Sequence, residues 1–151
     1  MQRVLIVDDS TSVRESFTDI LSPLATCEVA TNGQEAVDLI KRTVNKGGHF
    51  DLVLMDIIMP EKDGLTAVRE IRQFEQSRGC METNRLTIVI VTTIKEPSRI
   101  LIAQYECGAD AYITKPFTRE TVLQTLRSNG LGINPTQDDD FYTQQNWSFS
   151  R

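Results

Sequence analysis

The segment 51–60 limits the fold of this chain most strongly, because it joins a short apolar run to a charged residue. Residues 52–55 are all apolar, which is typical of a β-strand buried on both faces of a parallel sheet. Asp56 follows this run directly, and Pro60 ends the segment four residues later. Open parallel sheets bind their ligands at the carboxyl ends of the strands. Asp56 is therefore either a turn-forming residue or a reactive group, and the other strands must decide between these alternatives.

Similar apolar runs recur along the chain and alternate with segments of helical spacing. The runs predict strands at residues 4–7, 27–30, 52–55, 87–91 and 111–114. Apolar residues at helical spacing predict helices within residues 13–21, 36–42, 65–74, 97–107 and 119–127. Strands that alternate with helices in this way indicate an α/β fold, in which helices cover both faces of a doubly wound parallel sheet.

The periodic part of the chain ends near Gly130, so we expect one domain over residues 1–130 and a tail over residues 131–151. The tail has no sustained period and combines an acidic run, residues 138–140, with aromatic residues. A disordered terminus is the expectation for such a segment. The aromatic residues leave docking on the domain or on a partner open as the alternative.

Composition excludes several classes of protein. The net charge of −5, without a local basic run, argues against a nucleic-acid-binding surface. The three cysteines include no Cys-x-x-Cys pair, which argues against a zinc site and a disulfide framework and indicates reduced cytosolic thiols. The first apolar run is too short for a signal peptide or a membrane span.

Polar side chains follow four of the five predicted strands at their carboxyl ends. Asp8 and Asp9 end the first strand, Asp56 the third, Thr92 the fourth and Lys115 the fifth. Parallel strands present their carboxyl ends at one edge of the sheet, so these residues are expected to converge. Each has an ordinary structural explanation alone, since aspartates cap helices and lysines are usually solvated. Their coincidence at one edge favours a functional site.

Three converging carboxylates repel one another, and a divalent cation would relieve that repulsion. Oxygen ligands without His or Cys select a hard ion, and a site with few carboxylates suits Mg²⁺ better than Ca²⁺. Lys115 would supply a positive charge for a phosphate oxygen, and Thr92 a hydroxyl donor. A carboxylate nucleophile at Asp56 beside these groups could accept a phosphoryl group by in-line attack.

These features together give the sequence a clear family resemblance. It resembles the receiver domain of two-component response regulators, including the single-domain chemotaxis type, over about residues 3–128. The motifs that carry the resemblance are Val7-Asp8-Asp9-Ser10, Asp56 with Met59-Pro60 and Asp63-Gly64, Val91-Thr92-Thr93, and Ala111-Tyr112-Ile113-Thr114-Lys115-Pro116-Phe117. The resemblance implies a flavodoxin-like (βα)5 fold with strand order 2-1-3-4-5.

The resemblance also implies roles for residues around the acidic group. Asp56 matches the phosphoacceptor, and Asp9 matches the direct Mg²⁺ ligand. Asp8 would act largely through a bound water, while Asp56 and the backbone carbonyl of Ile58 would complete the protein's share of the coordination. Lys115 matches the lysine that pairs with the phosphoryl group.

Two further residues match the family's conformational switch. Thr92 matches the hydroxyl that moves toward the phosphoryl group, and Tyr112 matches the aromatic side chain that changes rotamer. Pro116 follows Lys115 in the position where the family has a cis peptide bond, which is plausible because it precedes a proline.

The implied function is a phosphorylation-controlled protein-binding switch in the cytoplasm, with no enzymatic activity toward other molecules. Its phosphodonor would be a sensor histidine kinase or a histidine phosphotransfer protein. Its output would be a downstream protein, or a second copy of the chain, bound at the face of the fourth helix, fifth strand and fifth helix. Tyr105, Tyr112 and the helix 119–127 are expected on that face. Neither nucleic acid nor membrane is an expected partner.

Ile58 and Ile94 lie two residues after Asp56 and Thr92, where they would flank the path of an attacking water. Family members that lose the phosphoryl group rapidly have polar residues there. Two bulky apolar residues therefore predict slow dephosphorylation, unless both side chains point away from the site.

Three alternatives remain open at this point. An aspartyl-phosphate hydrolase would need an Asp-x-Asp signature, whereas Asp8 and Asp9 are adjacent. A flavodoxin-like FMN binder would need a loop rich in Ser, Thr and Gly after the first strand. The third alternative is a receiver-like scaffold that is never phosphorylated, against which the full set of polar strand ends argues.

Overall fold

The computed structural model of the chain describes residues 2–59, 61–79, 85–93, 98 and 106–131, and the structural statements below concern these residues. Five strands are present: β1 (Gln2–Val7), β2 (Ala25–Ala30), β3 (Leu52–Asp56), β4 (Thr87–Thr92) and β5 (Ala111–Thr114). All neighbours pair in parallel, in the order β2-β1-β3-β4-β5. This arrangement confirms the predicted fold class and strand order.

Four helices connect or follow these strands: α1 (Thr11–Leu21), α2 (Gly33–Asn45), α3 (Gly64–Ser77) and the C-terminal helix (Arg119–Ser128). Each begins after a polar N-cap whose side chain accepts a hydrogen bond from the backbone N–H three residues later. α2 extends three residues beyond the predicted end at Arg42. Most of the predicted fourth helix, including Pro97 and Tyr105, lies outside the described residues.

The sheet separates two apolar clusters, because successive residues of a strand point to opposite faces. Leu5 and Met55 pack with residues of α2 and α3 on one face. Ile6 and Leu54 pack with residues of α1 and the C-terminal helix on the other. Leu131, the first residue of the predicted tail, is buried in the second cluster, whereas residues 132–151 lie outside the described part of the chain.

Gly64, the first residue of α3, brings that helix into direct contact with the end of β3. A Cβ atom at Gly64 would lie 2.0 Å from the backbone oxygen of Asp56 and 2.9 Å from the Cα of Ile57. The Gly64 N–H donates to the backbone oxygen of Ile57 over 2.8 Å. Only glycine fits this contact, so Gly64 holds the backbone that carries Asp56 at a set distance from α3.

We expect the variant Gly64→Ala to lose more than about 2 kcal/mol of unfolding free energy, because the added methyl group overlaps backbone atoms that cannot rotate away. Helix propensity alone would favour alanine by about 1 kcal/mol, so the two effects have opposite signs. Urea unfolding measures the change. The exposed Gln73→Ala on the same helix is the control, with an expected change within about 0.5 kcal/mol. A Gly64→Ala protein as stable as the wild type would contradict the steric explanation.

Candidate functional site

The carboxyl edge of the sheet brings together the polar residues that end β1, β3, β4 and β5. Val7 is paired with Met55 and Asp56 with Val91, so Asp8 and Asp56 lie side by side just beyond the apolar strands. Asp8 is 2% exposed, Asp56 7% and Thr92 2%, whereas Asp9 is exposed. The edge is therefore a partly enclosed group of acids that stays open to solvent on the side of Asp9.

Lys115 is the cation of this site and contacts two of its carboxylates. Its Nζ donates to Oδ2 of Asp8 over 2.9 Å and lies 3.6 Å from Oδ1 of Asp56. Oδ1 of Asp8 accepts a hydrogen bond of 2.9 Å from the backbone N–H of Ser10. Both Asp8 oxygens thus have a donor, and Lys115 lies closer to Asp8 than to Asp56.

The pKa of the Asp56 carboxyl group is raised well above its ordinary value. Burial at the end of β3 is the main cause, and the neighbouring Asp8 charge adds to it. Lys115 opposes both, and Asp9 contributes a smaller repulsion; together these effects raise the pKa of Asp56 to about 6. The Asp56 carboxylate is consequently held in a site where an added positive charge would stabilise it.

The acidic residues are close enough to share one cation. Oxygen atoms of Asp8, Asp9 and Asp56 all lie within 4.8 Å of one another. No His or Cys belongs to this cluster of described residues, and a purely oxygen donor set suits Mg²⁺. The donor chemistry and the raised pKa of Asp56 therefore both fit a bound divalent cation.

The loop after β5 is fixed by contacts on both sides of Lys115. The Lys115 N–H donates to the backbone oxygen of Thr92 over 2.8 Å, which ties the ends of β4 and β5 together. The Lys115–Pro116 peptide bond is cis, as the family resemblance implies. The Phe117 ring then stacks on Phe17 of α1 with a centroid distance of 4.2 Å. These contacts direct Lys115 back toward the acids.

Ile58 and Tyr112 are the remaining predicted residues that the structure describes. Ile58 follows Asp56 by two residues, and it is 66% exposed. Tyr112 is 40% exposed on the edge strand β5. Ile94 lies outside the described residues, so its predicted role stays a prediction.

Arg14 is a contact of the site that the sequence did not single out. Its Nη1 donates to the backbone oxygen of Asp8 over 2.8 Å, and its Nη2 donates to Oγ1 of Thr11. The contact holds the turn between β1 and α1 on which Asp9 lies. Its only sequence signal is a basic residue one helical turn after the N-cap Ser10, which is too common to be selective.

Comparisons with known proteins agree with this geometry. The sequence profile of the response regulator receiver domain matches residues 4–127. The chain belongs to the response regulator receiver domain family. Chemotaxis protein CheY of Halobacterium salinarum is 35% identical over 126 residues, which cover 83% of this chain and 93% of that relative.

Longer relatives and solved structures extend the comparison. Response regulator MprA of a Mycobacterium species is 32% identical over 139 residues, and the chain covers only 54% of its length. The structure of the CheX-CheY-BeF3-Mg complex of Borrelia burgdorferi contains a chain that is 28% identical to this one, with a TM-score of 0.71. The match covers 84% of this chain and 87% of that chain.

Membership of this family establishes the general role of the chain. Receiver domains are signalling proteins under phosphorylation control that bind Mg²⁺ at an acidic pocket and interact with histidine kinases and downstream targets. The acidic group of this receiver domain lies where such a pocket is expected. Within the described ranges, no helix has the length and apolar character needed to cross a membrane.

The raised pKa of Asp56 leads to a pH-dependent prediction for the metal-free protein. Between about pH 4 and pH 6 the native protein binds more protons at Asp56 than the unfolded chain, so this residue lowers stability as the pH rises. Asp56→Asn removes that penalty. We expect the variant's stability advantage over the wild type to be about 2 kcal/mol larger at about pH 7.5 than at about pH 4.5.

Urea unfolding at both pH values in EDTA measures this advantage. Asp19→Asn makes the same chemical change at an exposed position of α1, and its effect should be small at both pH values. An Asp56→Asn advantage independent of pH would show that the pKa of Asp56 is not raised.

Proposed function

We propose that this receiver domain accepts a phosphoryl group on Asp56 from the phosphohistidine of a sensor histidine kinase or a histidine phosphotransfer protein. The observation that carries the proposal is the pairing of Lys115 with both Asp8 and Asp56 at the open carboxyl edge of the sheet. A lysine that already contacts the acceptor carboxylate can meet a phosphoryl oxygen with a small movement.

Asp9, Asp56 and the backbone carbonyl of Ile58 would hold Mg²⁺ directly, with Asp8 acting largely through a water. The cluster of three carboxylates supports this assignment, as does the relief of their mutual repulsion. When bound, the ion neutralises charge on the phosphoryl oxygens. Asp8 also keeps Lys115 in place through its hydrogen bond of 2.9 Å.

The transfer step forms one bond and breaks one. An oxygen of the Asp56 carboxylate attacks the phosphorus atom in line with the phosphorus–nitrogen bond of the donor. That bond breaks, and its electron pair leaves with the imidazole nitrogen, which takes up a proton. Lys115 pairs with a phosphoryl oxygen, and the product is an acyl phosphate on Asp56. Because Asp56 must be ionised to attack, we expect the reaction to require a pH at which the bound cation keeps it charged.

The acyl phosphate would then act on Thr92 and Tyr112. Thr92 is 2% exposed at the end of β4, so an inward shift of its hydroxyl changes a packed region. Tyr112 is 40% exposed on β5 and would turn toward the space that Thr92 leaves. A local charge change would thus shift a two-state population that a partner recognises.

The partner of the phosphorylated form is proposed to be a downstream protein, or a second copy of this chain. It would bind at the face of β5, the C-terminal helix and the predicted helix before β5. The CheX-CheY complex of Borrelia burgdorferi shows that a receiver of this type binds another protein. Cytoplasmic localisation is part of the proposal, as is a tail over residues 131–151 that is flexible or docked on the domain or on a partner.

The second candidate function is a receiver-like scaffold that is never phosphorylated. The arrangement of Lys115 between Asp8 and Asp56 favours the phosphoacceptor, since a scaffold has no need of three carboxylates around one lysine. The aspartyl-phosphate hydrolase is less favoured, because Asp8 and Asp9 are adjacent and do not form the Asp-x-Asp signature of that class.

Incubation with acetyl phosphate and Mg²⁺, followed by intact-mass measurement, tests the phosphoacceptor directly. We expect one phosphoryl adduct on the wild type, none on Asp56→Asn and a much slower reaction for Lys115→Ala. Asp19→Asn, the exposed control, should react like the wild type. A wild type that binds Mg²⁺ but gains no adduct would refute the proposal in favour of the scaffold.

Slow loss of the phosphoryl group is the second testable consequence. Replacing the exposed Ile58 by Asn introduces a group that can orient an attacking water. We expect Ile58→Asn to accelerate decay of the acyl phosphate by about tenfold, which corresponds to about 1.4 kcal/mol in the barrier, the size of one good hydrogen bond.

Decay can be followed by phosphate release after removal of the phosphodonor. Val29 on β2 is also an exposed apolar residue, at 46%, and Val29→Asn is the matched control. Equal decay rates for the wild type and Ile58→Asn would mean that Ile58 does not limit access of water.

A further inference from the structure

A separate cavity lies at the amino-terminal edge of the sheet, opposite to the acidic site. Its volume is about 330 Å³, which is at the lower end of the range for small-molecule sites. It lies between the start of β1, the last turns of α2 and the loop that follows α2. The lining residues are Arg3, Leu39, Arg42, Thr43, Lys46 and Gly48. Arg3 and Asp8 are five residues apart on one extended strand, or roughly 16 Å, so the two sites are separate.

The cavity is basic in a chain of net charge −5. Three of its lining side chains, those of Arg3, Arg42 and Lys46, carry positive charge. Within the described residues, neither Arg42 nor Lys46 has a side-chain ion pair. The dipole of α2 favours cations at its carboxyl end, which accounts for Arg42 and Lys46. It does not account for Arg3, which comes from β1 and faces the same cavity.

The guanidinium group of Arg3 is held in a defined orientation. Its Nε donates to Oε2 of Glu28 over 2.5 Å, and its Cζ lies 4.6 Å above the centre of the Phe50 ring. Nη1 faces the cavity floor, because a Cβ atom placed on Gly48 would lie 3.3 Å from it. A fixed planar guanidinium with a free edge is suited to the oxygens of a phosphate group.

Thr43 adds a hydroxyl group to the cavity wall. It is 7% exposed, and no hydrogen bond joins its side chain to another residue in the described ranges. No fully buried side-chain nitrogen or oxygen in these ranges lacks a partner. Thr43 lines the cavity, and its hydroxyl has no protein partner among the described residues, so it is available to donate to a ligand.

We propose that this cleft is a binding site for the phosphate group of a small phosphorylated molecule. Arg3 and Lys46 contact its oxygens, Arg42 adds charge, and Thr43 donates through its hydroxyl. Gly48 keeps the floor free of a side chain, so the ligand reaches the fixed guanidinium. The site contains neither a nucleophile nor a metal ligand set, so its role is binding, and it does not depend on phosphorylation of Asp56.

Titration of the full chain with inorganic phosphate, followed through the backbone amide NMR signals, tests the proposal. EDTA is present throughout, so that phosphate cannot bind at the acidic site through a metal ion, and ionic strength is held constant. We expect saturable shifts centred on residues 43–48 and on Arg3. Absence of saturation, or shifts centred on Asp56 and Lys115, would overturn the proposal.

Matched variants then distinguish specific binding of phosphate in the cavity from non-specific attraction of phosphate to positive charge. Arg42→Gln combined with Lys46→Gln should weaken phosphate binding by about tenfold or more. Lys41→Gln removes one positive charge from the same helix outside the cavity lining and should change binding by less than about twofold. Equal weakening by Lys46→Gln and Lys41→Gln would assign the effect to net charge and overturn the proposal.

Gly48→Ala provides an independent variant that keeps every charge. The added methyl group would lie 3.2 Å from Cγ2 of Thr43 and 3.3 Å from Nη1 of Arg3, so it occupies the cavity floor. We expect about fivefold weaker phosphate binding with the thermal unfolding temperature nearly unchanged. Unaltered phosphate affinity in a folded Gly48→Ala protein would exclude the cleft as the site.

Discussion

Repulsion among the carboxylates of Asp8, Asp9 and Asp56 is the interaction on which the functional edge of this receiver domain depends. The protein relieves only part of it, because Lys115 lies nearer to Asp8 than to Asp56. Burial at the end of β3, to which the charge of Asp8 adds, keeps the pKa of Asp56 raised to about 6. A site left with excess negative charge has affinity for a divalent cation, and it becomes fully ionised once that cation binds. The excess negative charge that this crowding creates is thus what favours a cation at the carboxyl edge.

The packed apolar residues of the domain fix the positions of the charged residues at this edge. Asp56 lies at the end of a strand that is buried on both faces, and Gly64 brings the backbone of α3 against it. Lys115 is positioned through its backbone bond to Thr92 and through the stacking of Phe117 on Phe17. The backbones that carry Asp56 and Lys115 are therefore positioned by packed neighbours, and the hydrogen bond from Lys115 to Asp8 then sets the position of the ammonium group.

Both ends of the sheet carry charge, but of opposite sign. Acidic residues lie at the carboxyl edge because the strands end there in aspartates. At the amino edge, Arg3, Arg42 and Lys46 line a cleft. α2 connects the two regions: it ends at the cleft, and its first residue, Gly33, packs against the backbone of Lys62 in the loop after β3. Any ligand of the cleft would accordingly contact an element that also borders the loop after β3.

The sequence alone determined that five strands form, because five apolar runs with polar ends are compatible with few sheets, and the motifs implied their order through the family resemblance. The starts of β1 and β2 lie two residues before the predicted ones. Helix ends were less well determined: α2 continues beyond Arg42, since packing rather than local propensity decides where a helix stops. Only the tertiary structure could decide that Lys115 lies closer to Asp8 than to Asp56, that Gly64 contacts the β3 backbone and that Arg3 and Lys46 line the same cleft. These are distances between residues far apart in the chain, and sequence spacing carries no information about them.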